Sequence, residues 1–199
     1  MSVASDIWAI NPSTSTTRYR AAAAVGTAGA LTLLTQDAGP NGVGYKVAIT
    51  SDGDDLANTF TIVGIKVGDL SGKFTTETVT GPDTDTVLST NYYAFIQSIS
   101  ISGTSANDIS LGTSGDLALP RTRVKAFYVV CGSTAGSLKI NINGLTTANN
   151  TIFDIATPAG VTITQDLILP GAGILTARQT TDYSVVVPTN LTDYTLFCG

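Results

Sequence analysis

The chain has 199 residues, a formal net charge of −5, no histidine, and charged side chains at only 13% of its positions, against about 25% in an ordinary soluble domain. That length can bury enough apolar surface to fold without a metal or a disulfide. The missing histidine excludes Ser-His-Asp and Cys-His catalysis, together with zinc sites that need His beside Cys. Glu77 is the only glutamate, lysines are sparse, and Thr, Val, Ile, Ser and Gly fill the positions helix formers would take, which is an all-β composition.

In chain order, residues 1–20 lack the basic segment and continuous apolar core of a secretory signal. They read as an extended arm. Trp8 in that arm either closes one end of a domain or anchors on a neighbouring subunit, with Tyr19 and Arg20 as further docking residues. Residues 21–36 begin with the alanines Ala21–Ala24, are too short to span a bilayer and are interrupted by glycines, so they read as a loop leading into a strand over 30–34. No membrane partner is expected. A turn at 38–42 then delivers a strand in which Tyr45, Val47 and Ile49 alternate with Lys46, Ala48 and Thr50.

Asp52, Asp54 and Asp55 form the most acidic spot. They could offer oxygen ligands to calcium, but the spacing and terminal glutamate of an EF-hand loop are absent. The favoured reading is an Asp-Gly hairpin whose carboxylates cap backbone N–H groups. In the next strand, 58–67, the apolar phase shifts from Phe60 and Ile62 to Val63, Ile65 and Val67, which predicts a bulge near Gly64. A strand over 74–80 follows. Beyond it, Tyr93, Phe95, Ile99 and Ile101 face one side of a strand while Ser98, Ser100 and Ser102 face the other. Gly112–Asp116 reads as a linker.

Six further strands are expected at 124–131, 137–143, 151–157, 161–169, 181–188 and 193–198, with Asn143-Gly144 as a hairpin turn. Cys131 and Cys198 each sit in a strand with apolar neighbours and read as buried thiols. A Cys131–Cys198 disulfide is the alternative, and it requires the two positions to lie side by side on adjacent strands.

The run from Thr76-Glu77-Thr78-Val79-Thr80-Gly81, through Tyr92-Tyr93-Ala94-Phe95, to Ser98-Ile99-Ser100-Ile101-Ser102-Gly103 resembles a β-sandwich module of tailed-bacteriophage structural proteins. The stretch from Leu167 to Ile174, with Tyr183–Val187 and the ending Tyr194–Gly199, is similar to a second small module of such particles. The resemblance implies two small antiparallel β-sandwich domains, immunoglobulin-like or jelly-roll, behind an N-terminal arm: arm and lead-in strand over 1–36, first domain over 37–115, second over 116–199. It also implies a non-enzymatic virion protein assembled in the host cytoplasm. Its partners would be the major capsid protein or other virion proteins, and itself as a homo-oligomer such as a trimer. A capsid decoration or cement protein is favoured over a neck, tail or fibre-associated subunit, because the chain is short and has no fibre-like or coiled-coil segment.

Other classes find less in the residues. Arg121, Arg123 and Lys125 are the only basic grouping, so nothing neutralises a run of phosphates and nucleic acid is not an expected partner. Gly171-Ala172-Gly173 precedes no helix pattern, so no phosphate-binding loop or cofactor is expected. No spacing selects a catalytic pair of carboxylates. A carbohydrate-binding or adhesive module would need Trp8, Tyr92 and Tyr93 as a stacking platform, yet Tyr92 and Tyr93 alternate along one strand.

Overall fold

The computed structural model describes residues 8–10, 14–39, 42–67, 69, 71–120, 123–141, 151–166, 174–175 and 184–198. Among them the fold is all-β, in antiparallel sheets. The chain enters on β1 (Trp8–Ile10), then lays down β2 (Ser15–Val25), β3 (Gly29–Ala30), β4 (Gly44–Ser51), β5 (Thr59–Lys66), β6 (Thr75–Thr80), β7 (Thr86–Leu88), β8 (Tyr93–Ile101) and β9 (Ser105–Leu119). It continues with β10 (Arg123–Cys131), β11 (Gly136–Asn141), β12 (Thr151–Thr157), β13 (Thr162–Asp166), β14 (Ile174–Leu175), β15 (Ser184–Thr189) and β16 (Leu191–Cys198). Two compact units result, one of Thr14–Leu117 and one of Met1–Ser13 with Ala118–Gly199. The expected arm of 1–36 is therefore divided between the units, after residue 13.

In the unit Thr14–Leu117, β8 pairs with β5 along most of its length and β5 pairs with β6, so β5 lies between two partners. β4 holds β7 and β9 as neighbours, and β2 lies along β9 in an irregular register. Alternation builds the core: Val47 and Ile49 of β4, Phe60 and Ile62 of β5, and Ile99 and Ile101 of β8 are all buried. The bulge foreseen near Gly64 is present, since the β5–β8 register slips between Val63 and Gly64. On β8 the slip leaves Gln97 as the extra residue, because Val63 lies opposite Ser98 and Gly64 opposite Ile96. Ile96 therefore enters the core at 0% exposure, while Phe95, expected there, stays half-buried.

Three further sequence expectations in this unit fail for identifiable reasons. The Asp-Gly turn after β4 is not a hairpin, because β8 lies between β4 and β5 in the sheet. The alanine run Ala21–Ala24 is part of the strand β2, not a loop, and regular structure over 30–34 is limited to Gly29–Ala30. Residues 112–116 lie inside β9, not in a linker. A Cβ at Gly112 would press on the Ser15 carbonyl oxygen and on Thr16, so this glycine admits the close passage of β2.

In the unit of residues 1–13 with 118–199, β10 lies between β13 and β16, β14 pairs with its beginning, and β1 pairs with the end of β16. β11 lies between β12 and β15. Phe127, Val129, Leu138, Ile140, Val185 and Leu196 are fully buried. The Phe127 and Phe153 rings meet at 5.5 Å between centroids, within the range of favourable tilted pairs. Lys139 and Asp154 lie directly opposite one another across β11 and β12 and form a 3.4 Å ion pair.

Cys131 and Cys198 are both buried free thiols, and the register rules out the bridge between them. Their strands are neighbours, but Cys131 lies opposite Leu191 and Cys198 opposite Val124. At about 3.4 Å per residue the thiols sit at opposite ends of the pair, far beyond disulfide reach. The Asn143-Gly144 turn and the segment 167–173 fall outside the described residues.

Candidate interaction surface

The side chains that alternate with the core of β5, β6 and β8 form a face of hydroxyls. Thr76, Thr78 and Thr80 of β6 are exposed; Thr59, Thr61 and Val63 of β5, with Ser98 and Ser100 of β8, are half-buried; Ser102 just beyond β8 is exposed. Register aligns them in rows across the strands. Thr78 lies opposite Thr61 and Thr61 opposite Ser100, while Thr76 lies opposite Val63 and Val63 opposite Ser98. Thr80 lies opposite Thr59, whose carbonyl oxygen accepts from the Ser102 N–H and whose own N–H donates to Ser102 Oγ. Neighbouring rows are about 6.8 Å apart along the strands, and strands about 4.8 Å apart across them. None of these side chains is charged.

Beside this face the segment following β3 runs along β8. The Leu31 N–H donates to the Ile99 carbonyl and the Ile96 N–H to the Gln36 carbonyl. An open groove of about 430 Å³ there is lined by Leu31, Leu33, Leu34, Gln97 and Ser98 among others. Leu34 is 69% exposed.

The inner face of β6 carries Glu77, whose carboxylate closes the corner between β6 and the β7–β8 turn. Its oxygens accept hydrogen bonds from the Thr90 N–H, the Asn91 N–H and side-chain amide, and the Tyr93 hydroxyl. Burial alone would raise its pKa, but these donors outweigh burial and hold it below the ordinary value. Tyr93 is pushed the other way, by burial first and then by the Glu77 charge.

The acidic spot at the end of β4 is organised around Asp55, which is 2% exposed. It accepts from Ser51 Oγ at 2.6 Å, Asn58 Nδ2 at 3.0 Å and Asn107 Nδ2 at 3.1 Å. Burial favours the neutral acid, yet the hydrogen bonds lower its pKa overall. Asp52 accepts from the Asp108 N–H and Asp54 from the Leu56 N–H. These carboxylates are used as acceptors for chain and amide donors. Among the described residues no group of His, Cys, Asp and Glu is arranged to hold a metal ion.

The residues expected to dock on partners are placed differently. Tyr19 is fully buried, and burial raises its pKa. Arg20 turns back on its own unit, donating to the Ala23, Ala24 and Ile109 carbonyls. Tyr92 and Tyr93 are 2% and 0% exposed, so neither offers a ring for stacking on a sugar. Lys46 covers the Tyr92 ring at 5.3 Å. The backbone of Trp8 pairs with Cys198, placing this part of the arm along β16; its side chain lies outside the described residues. The hydroxyl rows were not foreseen as a site. The alternation of Ser98, Ser100 and Ser102 exposed one strand of it, but its continuation onto Thr61 and Thr78 depends on register.

No protein-family model, no curated protein and no solved structure matches the chain.

Proposed function

We propose that this chain is a non-enzymatic structural subunit of a bacteriophage particle, a capsid decoration or cement protein built as two small β-sandwich domains. The observation that carries the reading is the uncharged hydroxyl face of β5, β6 and β8. Charged side chains must be desolvated or paired when a neighbour covers them, whereas a hydroxyl can donate or accept as its partner requires. Short Ser and Thr side chains also lose less rotamer freedom than long polar ones on being covered. Such a face suits repeated contact with a lattice, and the resemblance of Thr76–Gly103 to phage modules points the same way.

A contact of about 800 Å² per partner, repeated by symmetry, gives avidity beyond that of one site. Binding only the mature shell would stabilise it by mass action. The test is copy number per particle, by quantitative mass spectrometry of purified virions against the major capsid protein. Hundreds of copies are expected. Six to a few dozen would move the subunit to the neck or tail, and absence from virions would overturn the reading.

A further inference from the structure

The hydroxyl face ends at β6, which has β5 as its only paired strand among the described residues. Which of its backbone groups face outward follows from one hydrogen bond and the register. The Gly81 N–H donates to the Asn58 carbonyl, and Thr80 lies opposite Thr59. Because bonded and non-bonded pairs alternate in an antiparallel ladder, Val79, Glu77 and Thr75 exchange bonds with β5. Thr76, Thr78 and Thr80 then turn their N–H and C=O groups away from it. The bonds of Thr59 toward Ser102 agree with this assignment.

Of the devices that normally block strand addition, this edge carries only an inward-pointing charge, that of Glu77. Residues 75–80 hold no Lys and no Pro, and the β5–β6 register runs without a bulge from Thr59–Thr80 to Gly64–Thr75. The one charge, Glu77, points inward and is occupied by Thr90, Asn91 and Tyr93.

We propose that β6 is a self-association edge, pairing antiparallel with β6 of a second copy about a two-fold axis at Thr78. The charge pattern selects this register. A two-fold centred on Glu77 would bring two carboxylates directly opposite, in a non-hydrogen-bonded pair where side chains are closest. Centred on Thr78, Thr78 bonds its own counterpart and Thr76 bonds Thr80 of the second copy, so every outward N–H and C=O of the three threonines finds a partner. Glu77 then lies beside Val79 of the second copy, and the hydroxyl rows continue across the axis. An isologous contact of this kind closes on itself, and it doubles the face available to a shell. The pairing deepens the structural-subunit reading and rests on it for its biological setting.

The experiment is oxidative crosslinking of the full chain with copper phenanthroline at micromolar concentration. Thr78→Cys places two thiols at a Cα separation of about 5.5 Å, inside the range a disulfide spans. It is expected to give a covalent dimer in most molecules, at least tenfold above wild type, whose thiols are buried. Thr76→Cys, which faces Thr80 and not itself, is expected to crosslink no more than wild type, while Thr76→Cys with Thr80→Cys restores the dimer. Near-ultraviolet circular dichroism verifies that each variant is folded. Equal crosslinking of Thr76→Cys and Thr78→Cys, or a folded Thr78→Cys protein that stays monomeric, overturns the pairing. Virion copy number is read independently, so abundant virion protein without crosslinking removes the edge contact alone. Crosslinking without virion protein leaves the edge contact and removes the particle reading.

Discussion

Glu77 ties three pieces of chain together with one carboxylate, and its protonation state should be visible in stability. Its pKa is lowered from an ordinary 4.5, and that of Asp55 from an ordinary 3.8. A carboxylate whose native pKa is depressed contributes fully above its unfolded value and loses that contribution as pH falls through the lowered native one. Urea midpoints should therefore be flat from about pH 7 to pH 5 and fall steeply below about pH 4. Glu77→Gln should cost about 2 kcal/mol at pH 7, the scale of hydrogen bonds to a buried-side charge. It should also flatten the acid slope; an unchanged slope would mean that Glu77 is not held as described. Asp55→Asn should act similarly, because Ser51, Asn58 and Asn107 would lose their charged acceptor.

At the scale of elements, the bulge on β5 and β8 decides which residues enter the core. A Cβ at Gly64 would meet the Tyr93 ring at 2.8 Å and press on the Phe95 carbonyl oxygen. Gly64→Ala should cost about 2 kcal/mol or more in equilibrium unfolding, through backbone displacement in a packed sheet. Gly72, at a positive φ of 64° with nothing within 4 Å of an added Cβ, should show backbone strain only.

The same elements mark what was legible in the sequence. The bulge could be read because Phe60, Ile62, Val63 and Ile65 change phase in plain view. Its effect on β8 could not, since nothing local distinguishes Ile96 from Phe95 as the core residue. Ala21–Ala24 has no alternation to read, so its strand state comes from pairing with β9. Gly112 looked like a break because a glycine admitting a passing strand and a glycine ending one are identical in sequence. At the acidic spot the expected Asp-Gly hairpin does not form, because β8 lies between β4 and β5, but Asp52 and Asp54 do accept from backbone N–H groups. The Asn58 amide lies only three residues from Asp55, but the Asn107 amide and the Asp108 N–H come from a distant segment and left no local signal.

For the whole molecule, charge is unevenly distributed. Residues 14–117 carry the entire net charge of −5, while residues 1–13 and 118–199 balance. Asp52, Asp54, Asp55, Asp83 and Asp85 lie in loops and Asp108 near the start of β9, drawn together by the Asp54–Asp83 bridge and the Asp52–Asp108 hydrogen bond. If the hydroxyl face makes the shell contact, these charges take no part. Rebinding of purified protein to stripped heads should then change less than about threefold between roughly 50 and 500 mM salt, since screening acts on exposed charges. Thr61→Lys, in the centre of the face, should weaken rebinding at least tenfold without changing the unfolding midpoint appreciably. A steep loss of binding with salt would instead assign the contact to the acidic loops.

The β10–β16 ladder keeps its two thiols apart, and in doing so leaves an unmatched half of a covalent clasp at each end. Cys198 looks across at Val124, and Cys131 at Leu191. Burial pushes the Cys198 thiol up to about 12, so it stays protonated and inert to chance oxidants. One substitution opposite either cysteine supplies the missing half, so a sheet that closes without covalent help is one residue away, at either end, from being locked.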